Sequence, residues 1–132
     1  MIFIDTWVWL EFLGKAEKSE ACEEIILRRG EKCISTAGLL EIGYHAMRMF
    51  GPERAAAIVY YLESQKGLNI LPVTVKVARF AAELRFKYYR PERRLSFVDS
   101  VNLATAILTE CTALYTGDSD FQGIEEIRTV IV

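Results

Sequence analysis

The stretch IFIDTWVWLEFL, residues 2–13, decides the architecture. Three apolar residues, Ile2 to Ile4, run into one acid, Asp5, and TWVWLEFL then continues with helical spacing. A short strand that passes straight into a helix leaves no room for a hairpin partner. The same handover recurs along the chain. KCIS (32–35) reads as a second strand, with Ser35 or Thr36 placed to cap a helix in which Leu39, Ile42, Ala46 and Met49 recur at three- and four-residue steps. LNILPV (68–73) is a third strand and leads into a long helix over 74–89, with Val77, Phe80, Ala81, Leu84 and Tyr88 on one side. ALY (113–115) and IRTVIV (127–132) are a fourth and a fifth.

Further helices are predicted over 16–29, closed by Gly30, over 52–66, opened by Pro52 after Gly51, and over 96–111, opened by Ser96. The strands are short apolar runs without clear two-residue alternation, which fits a parallel sheet buried on both faces. The expected fold class is α/β: a three-layer α/β/α sandwich on a mostly parallel, roughly five-stranded sheet, forming one domain over residues 1–132.

Composition narrows the function classes. At 52% hydrophobic and 26% charged residues, the chain can bury a sizeable core and still carry an ordinary charged surface. No uncharged apolar run approaches the ~18 residues of a membrane span. MIFIDTW has neither the basic nor the apolar region of a signal peptide, so a cytoplasmic protein without membrane contact is expected. Cys22, Cys33 and Cys111 are widely spaced, contain no CxxC pair and are joined by only one histidine, His45. Reduced, mostly buried thiols are expected rather than a zinc site.

Parallel α/β sheets place ligands at the carboxyl ends of their strands. Four acids fall there. Asp5 ends the first strand and Asp118 follows the fourth by three residues. Glu41 lies early in the helix after the second strand. Asp99 lies in the first turn of the helix that leads to the fourth strand, so its own N-terminus should reach the same edge. Two unit charges ~4 Å apart cost several kcal/mol at an effective dielectric of ~20. A cluster of four carboxylates needs protons or a cation. Oxygen ligands without His or Cys favour Mg²⁺ or Mn²⁺. Such an ion suits phosphodiester chemistry, where it polarises phosphoryl oxygens and activates water.

Each acid also has a purely structural role open to it. Asp5 is placed as a helix N-cap. Asp99 is three residues after Ser96, as in a capping box. Asp118 and Asp120 suit a turn, Asp120 as the cap of a helical turn starting at Phe121. Glu41 can face solvent. None of these roles explains why all four fall at one edge.

Four segments together resemble the PIN domain family, and within it the VapC-type toxins of VapBC toxin–antitoxin pairs. They are IDTWVWLEFL, TAGLLEIGYH, LSFVDSVNLATA and LYTGDSDF, which span almost the whole chain in the family's order. The resemblance implies a PIN-like domain and a Mg²⁺- or Mn²⁺-dependent endoribonuclease, the toxin of a type II toxin–antitoxin pair. It implies Asp5, Glu41, Asp99 and Asp118 as catalytic, metal-binding acids, with Thr6 and Thr116 as supporting hydroxyls and Asp120 as a further acid. It also implies RNA as substrate, a homodimer, and a VapB-type antitoxin whose C-terminal segment covers the acidic cleft. Trp7 and Trp9 depart from the pattern, since smaller residues are commoner there; a core or interface role is expected for them.

RFKYYRPERR (85–94) leads directly towards Asp99, and its Arg90, Arg93 and Arg94 are candidate RNA contacts, with Tyr88 or Tyr89 available to stack on a base. The same charges equally suit a helix C-terminus or a solvated face. The helix over 52–66 is more apolar than one buried stripe requires and is expected to join a homodimer surface. Two other functions compete: a non-catalytic RNA-binding or interaction module on the same fold, and an α/β phosphotransfer protein. The second lacks the Asp-x-Asp of a phosphatase after its first strand, which reads DTW, and the acid pair of a receiver. No GxGxxG or P-loop is present.

Overall fold

A computed structural model describes residues 1–132. Five strands, β1 (Ile2–Ile4), β2 (Lys32–Ser35), β3 (Leu68–Leu71), β4 (Ala113–Thr116) and β5 (Thr129–Ile131), form one sheet in the order β3-β2-β1-β4-β5. All four pairings are parallel, with Phe3 opposite both Cys33 and Leu114. Six helices complete the chain: α1 (Thr6–Leu13), α2 (Ser19–Leu27), α3 (Thr36–Phe50), α4 (Pro52–Ser64), α5 (Val75–Tyr88) and α6 (Phe97–Leu108).

Adjacent residues of β1 point to opposite faces and both are buried. Phe3 packs with Leu84 and Leu103 from α5 and α6, and with Phe121 and Ile124 beyond β4. Ile4 packs with Val8, Cys22, Ile42 and Leu62 from α1 to α4. The apolar runs lack alternation because each strand is sandwiched between these two helical layers. The α/β/α sandwich is therefore the one expected from the sequence. No helix is long and apolar enough to cross a membrane.

Several boundaries are tighter than the sequence suggests. α2 starts at Ser19 rather than Ala16, because residues 15–18 turn the chain and Lys15 takes a positive φ of 50°. α6 stops at Leu108, short of Cys111, and Glu110 reverses the chain at φ 55°. Ser35 rather than Thr36 caps α3, its hydroxyl accepting the Gly38 N–H at 2.9 Å. The three cysteines are reduced and buried, and the sulfurs of Cys33 and Cys111 lie 3.4 Å apart.

The strand order fixes where a site can form. The chain adds β2 and β3 on one side of β1, then crosses back to place β4 on the other side. The connections diverge between β1 and β4, which leaves a crevice at their carboxyl ends. Asp5 follows β1 there, and Thr116 ends β4.

Candidate acidic metal site

Asp5 is the centre of the crevice. It occupies the N-cap position of α1, yet its side chain caps nothing. Instead, Oδ1 accepts from Asn102 Nδ2 at 2.9 Å and Oδ2 accepts from the Thr116 hydroxyl at 2.8 Å. The residue is only 4% exposed. Burial pushes its carboxyl up to about 6, the charges of Asp99 and Glu41 add to this, and the Thr116 and Asn102 hydrogen bonds oppose it.

The other acids surround it electrostatically. Glu41, half-buried on the first turns of α3, is raised chiefly by burial and further by the Asp99 charge, while the Thr6 hydroxyl and His45 act the other way. Asp99 is raised by burial and by Asp118 and Asp120, against the two hydrogen bonds it makes with Ser96. These mutual influences tie all four predicted ligands, and Asp120, to one edge. No cation balances them: the only ion pairs in the chain join Lys87 to Glu125 and Glu126.

The carboxylates nevertheless do not close into a cage, and no three acidic, His or Cys side chains stand in a metal-ligating cluster. Asp5, Asp99 and Asp118 are each held by a donor close in sequence or space. Asp99 completes a capping box, accepting from Ser96 N at 2.9 Å while the Ser96 hydroxyl accepts from Asp99 N at 3.0 Å. Asp118 Oδ1 accepts from Asp120 N at 2.9 Å and so caps the 3-10 turn Ser119–Phe121. The expected cap at Asp120 is thus made by Asp118, two residues earlier, and no hydrogen bond engages the Asp120 carboxylate. The structural roles and the convergence coexist.

The residues present fit a hard divalent cation. The donors are all oxygen, and the central carboxylate is buried among like charges. Thr116 has two tasks, donating to Asp5 and accepting from Asp118 N at 3.1 Å. It thereby joins the first and last acidic segments.

The two tryptophans divide as core and wall. Trp9 is 5% exposed and packs with Ile4 and Ile25. Trp7, half-buried, lies against Gly117 in the loop between Thr116 and Asp118.

The basic stretch lies apart from the acids. Arg93 donates to the Gln122 carbonyl at 2.5 Å, Arg90 to the Tyr89 carbonyl at 2.6 Å and Arg94 to the Pro91 carbonyl at 3.3 Å. None contacts a site carboxylate. Tyr88 is not available to stack on a base: it is buried, its hydroxyl donates to Glu126 at 2.6 Å, and it accepts from Glu125 N at 3.0 Å. Its place on the inner side of α5 outweighs its place in the basic stretch. Tyr89 is 38% exposed, but the Arg85 guanidinium covers its ring at 4.5 Å.

Sequence reasoning missed Asn102. It sits three residues after Asp99, one helical turn further along the same face of α6, and that spacing was the available signal.

A five-stranded parallel α/β fold with carboxylates at the β1/β4 crevice defines a class of acidic-edge domains. The PIN domain family model matches residues 2–127, and the chain belongs to the PIN domain family. No curated protein matches the sequence. Solved structures with the same fold include Mycobacterium tuberculosis VapC20, a sarcin-ricin loop cleaving toxin, at 24% identity and a TM-score of 0.78, covering 97% of this chain and 99% of that one. Rickettsia felis VapBC2, bound to a promoter DNA fragment, matches at 20% identity and a TM-score of 0.75, covering 98% of each chain. A Klebsiella pneumoniae toxin–antitoxin complex matches at 23% identity and a TM-score of 0.72, covering 96% of this chain and 95% of that one.

Proposed function

We propose that this protein is a Mg²⁺- or Mn²⁺-dependent endoribonuclease of the VapC toxin type. The observation that carries this reading is the buried Asp5 carboxylate, paired with no Lys or Arg and facing the charges of Asp99 and Glu41 at the β1/β4 crevice. Asp5, Asp99 and Asp118, with Glu41, are the residues that would hold the metal, and Asp120 is a further candidate. When bound, the metal supplies charge neutralisation for the phosphodiester and a more acidic water.

The chain's own residues set the rest. Asn102 and Thr116 fix the Asp5 carboxylate. Ser96 fixes Asp99 through the capping box. Thr6 sets a buried hydroxyl beside Glu41. Arg90 and Arg94, outside the acidic edge, are the candidates to hold RNA phosphates that the carboxylates repel.

The toxin reading adds protein partners, a second copy of the chain and a VapB-type antitoxin, and two exposed apolar faces support it. One is the groove of α1 and α4, lined by Trp9, Phe12, Ile58 and Tyr61. The other lies along α5 and α6, where Phe86 is 90% and Phe97 76% exposed. On α4 only Ala55 and Leu62 are buried and the aromatic pair Tyr60 and Tyr61 stands exposed, which supports the surplus apolar surface expected of this helix. Both faces, α4 as expected from its composition and α5–α6, are candidate surfaces for self-association. A monomer in sedimentation at high concentration would remove the dimer.

The test of the enzyme is RNA cleavage by the metal-free chain with and without added Mn²⁺, alongside Asp5→Asn and Asp99→Asn. Cleavage should require the ion and vanish in both variants. A chain that binds no Mn²⁺ and cleaves no RNA is instead a non-catalytic module on the same fold. Trapping of an aspartyl-phosphate would favour the phosphotransfer class.

A further inference from the structure

Asn102 is 1% exposed, and both polar atoms of its amide are hydrogen-bonded. Nδ2 donates to Asp5 Oδ1 at 2.9 Å, and Oδ1 accepts from the Ser35 hydroxyl at 2.6 Å. A carboxylate only accepts, so the amide nitrogen must face Asp5 and the amide oxygen must face Ser35. Ser35 is oriented in turn, because its oxygen accepts from Gly38 N at 2.9 Å and its proton is left for Asn102. The chain of contacts runs Gly38, Ser35, Asn102, Asp5, Thr116, Asp118 N, and every member has a fixed direction.

Three elements that carry acids meet at this one amide. α6 bears Asp99 one turn before Asn102. α3, which bears Glu41, starts at the Ser35 cap. Asp5 ends β1. The packing leaves no slack: a Cβ on Gly38 would lie 3.2 Å from Thr6 Oγ1, 3.6 Å from Ser35 Oγ and 3.8 Å from Asn102 Oδ1.

We infer that Asn102 is the positioning residue of the acidic site, holding the Asp5 carboxylate in the orientation a divalent cation requires and locking the helices of Glu41 and Asp99 to it. The inference rests on the metal-dependent nuclease reading. Asn102 is buried with its amide turned to Asp5 and Ser35, so it is not itself a ligand candidate. It acts through Asp5: with one lone pair of each oxygen taken by Asn102 and Thr116, the other lone pair of each is left for a ligand. Groups in this supporting position typically change metal affinity by about 10- to 100-fold when removed.

The test is calorimetric titration of the metal-free chain with Mn²⁺, without RNA, for wild type, Asn102→Ala and Asn102→Leu. The leucine variant keeps most of the side-chain volume. We expect both to bind Mn²⁺ about 10- to 100-fold more weakly. Cleavage at saturating Mn²⁺ should show a lower kcat with KM for RNA nearly unchanged, a split that loss of packing alone does not produce. A folded variant with wild-type Mn²⁺ affinity overturns the inference. Should neither variant fold, the wild-type chain answers by NMR: the Asn102 side-chain amide protons are expected to shift on Mg²⁺ titration, and protons that do not move overturn it. Wild-type binding with unaffected variants defeats this inference alone. A wild type that neither binds Mn²⁺ nor cleaves RNA defeats the nuclease reading and the inference together.

Discussion

The indole of Trp7 lies against Gly117 so closely that a Cβ at residue 117 would sit 2.4 Å from Cδ2, Cε2 and Cε3 of the ring. The contact presses the first turn of α1 onto the loop that carries Asp118. Gly117→Ala must therefore displace the ring or the loop. The expected loss is about 1–3 kcal/mol, the usual range for overpacking. Denaturant unfolding measures it, and a Trp7→Leu background should recover much of it. Equal losses in both backgrounds would show that the ring is not the obstacle.

The buried Asp5 predicts a pH-dependent stability in the metal-free chain. Its carboxyl stands at about 6 when folded, above its ordinary 3.8. Below pH 3.8 both states are protonated and the folded chain bears no penalty. As pH rises through 6 the buried group ionises, and stability falls by at most about 3 kcal/mol. Urea midpoints with a chelator present should decline across this window in wild type. The decline should be absent in Asp5→Asn, and Mn²⁺ should flatten it in wild type by binding the ionised form.

Tyr88 joins α5 to the segment after β4 through its hydroxyl. Tyr88→Phe removes an acceptor for Glu125 N and a donor to Glu126. A loss of about 1–2 kcal/mol is expected, with RNA cleavage at moderate temperature unchanged. A selective fall in RNA affinity without loss of stability would return Tyr88 to the substrate surface.

The arginines of the basic stretch should separate by their contacts. Arg93 holds the Gln122 carbonyl, so Arg93→Ala should lower the melting temperature as well as RNA affinity. Arg94 makes only a local bond to Pro91, so Arg94→Ala should weaken RNA binding and leave stability intact. For one lost phosphate contact the log–log salt slope of binding should fall by about 0.7. An unchanged slope in Arg90→Ala and Arg94→Ala would place the RNA elsewhere.

The sheet and the acids were legible because they depend on local pattern. Short apolar runs between amphipathic segments announce buried parallel strands, and Asp5, Glu41, Asp99 and Asp118 each stand at a fixed offset from such a run. Ser96 and Asp99 announce a capping box by spacing alone, and the box forms. Helix ends were less legible, since Lys15 and Glu110 reverse the chain without the glycine that usually marks such a turn. Tyr88 was legible twice, as a member of the α5 stripe and of a basic segment. Burial of the ring decided between the two.

By itself, the sequence determined the order of elements, the edge at which the carboxylates lie and the oxygen chemistry they offer, because periodicity and offset are properties of neighbouring residues. Only the tertiary structure decided which partners those carboxylates have. Asn102 and Asp5 are 97 positions apart, and Thr116 and Asp5 are 111 apart. Their hydrogen bonds exist because β4 returns to pair with β1 and α6 packs behind it. The same return places Gly117 under Trp7 and brings the charges of Asp99 and Glu41 to bear on one buried group. Long-range closure of the sheet, which local pattern does not encode, brings four separate acids to one edge.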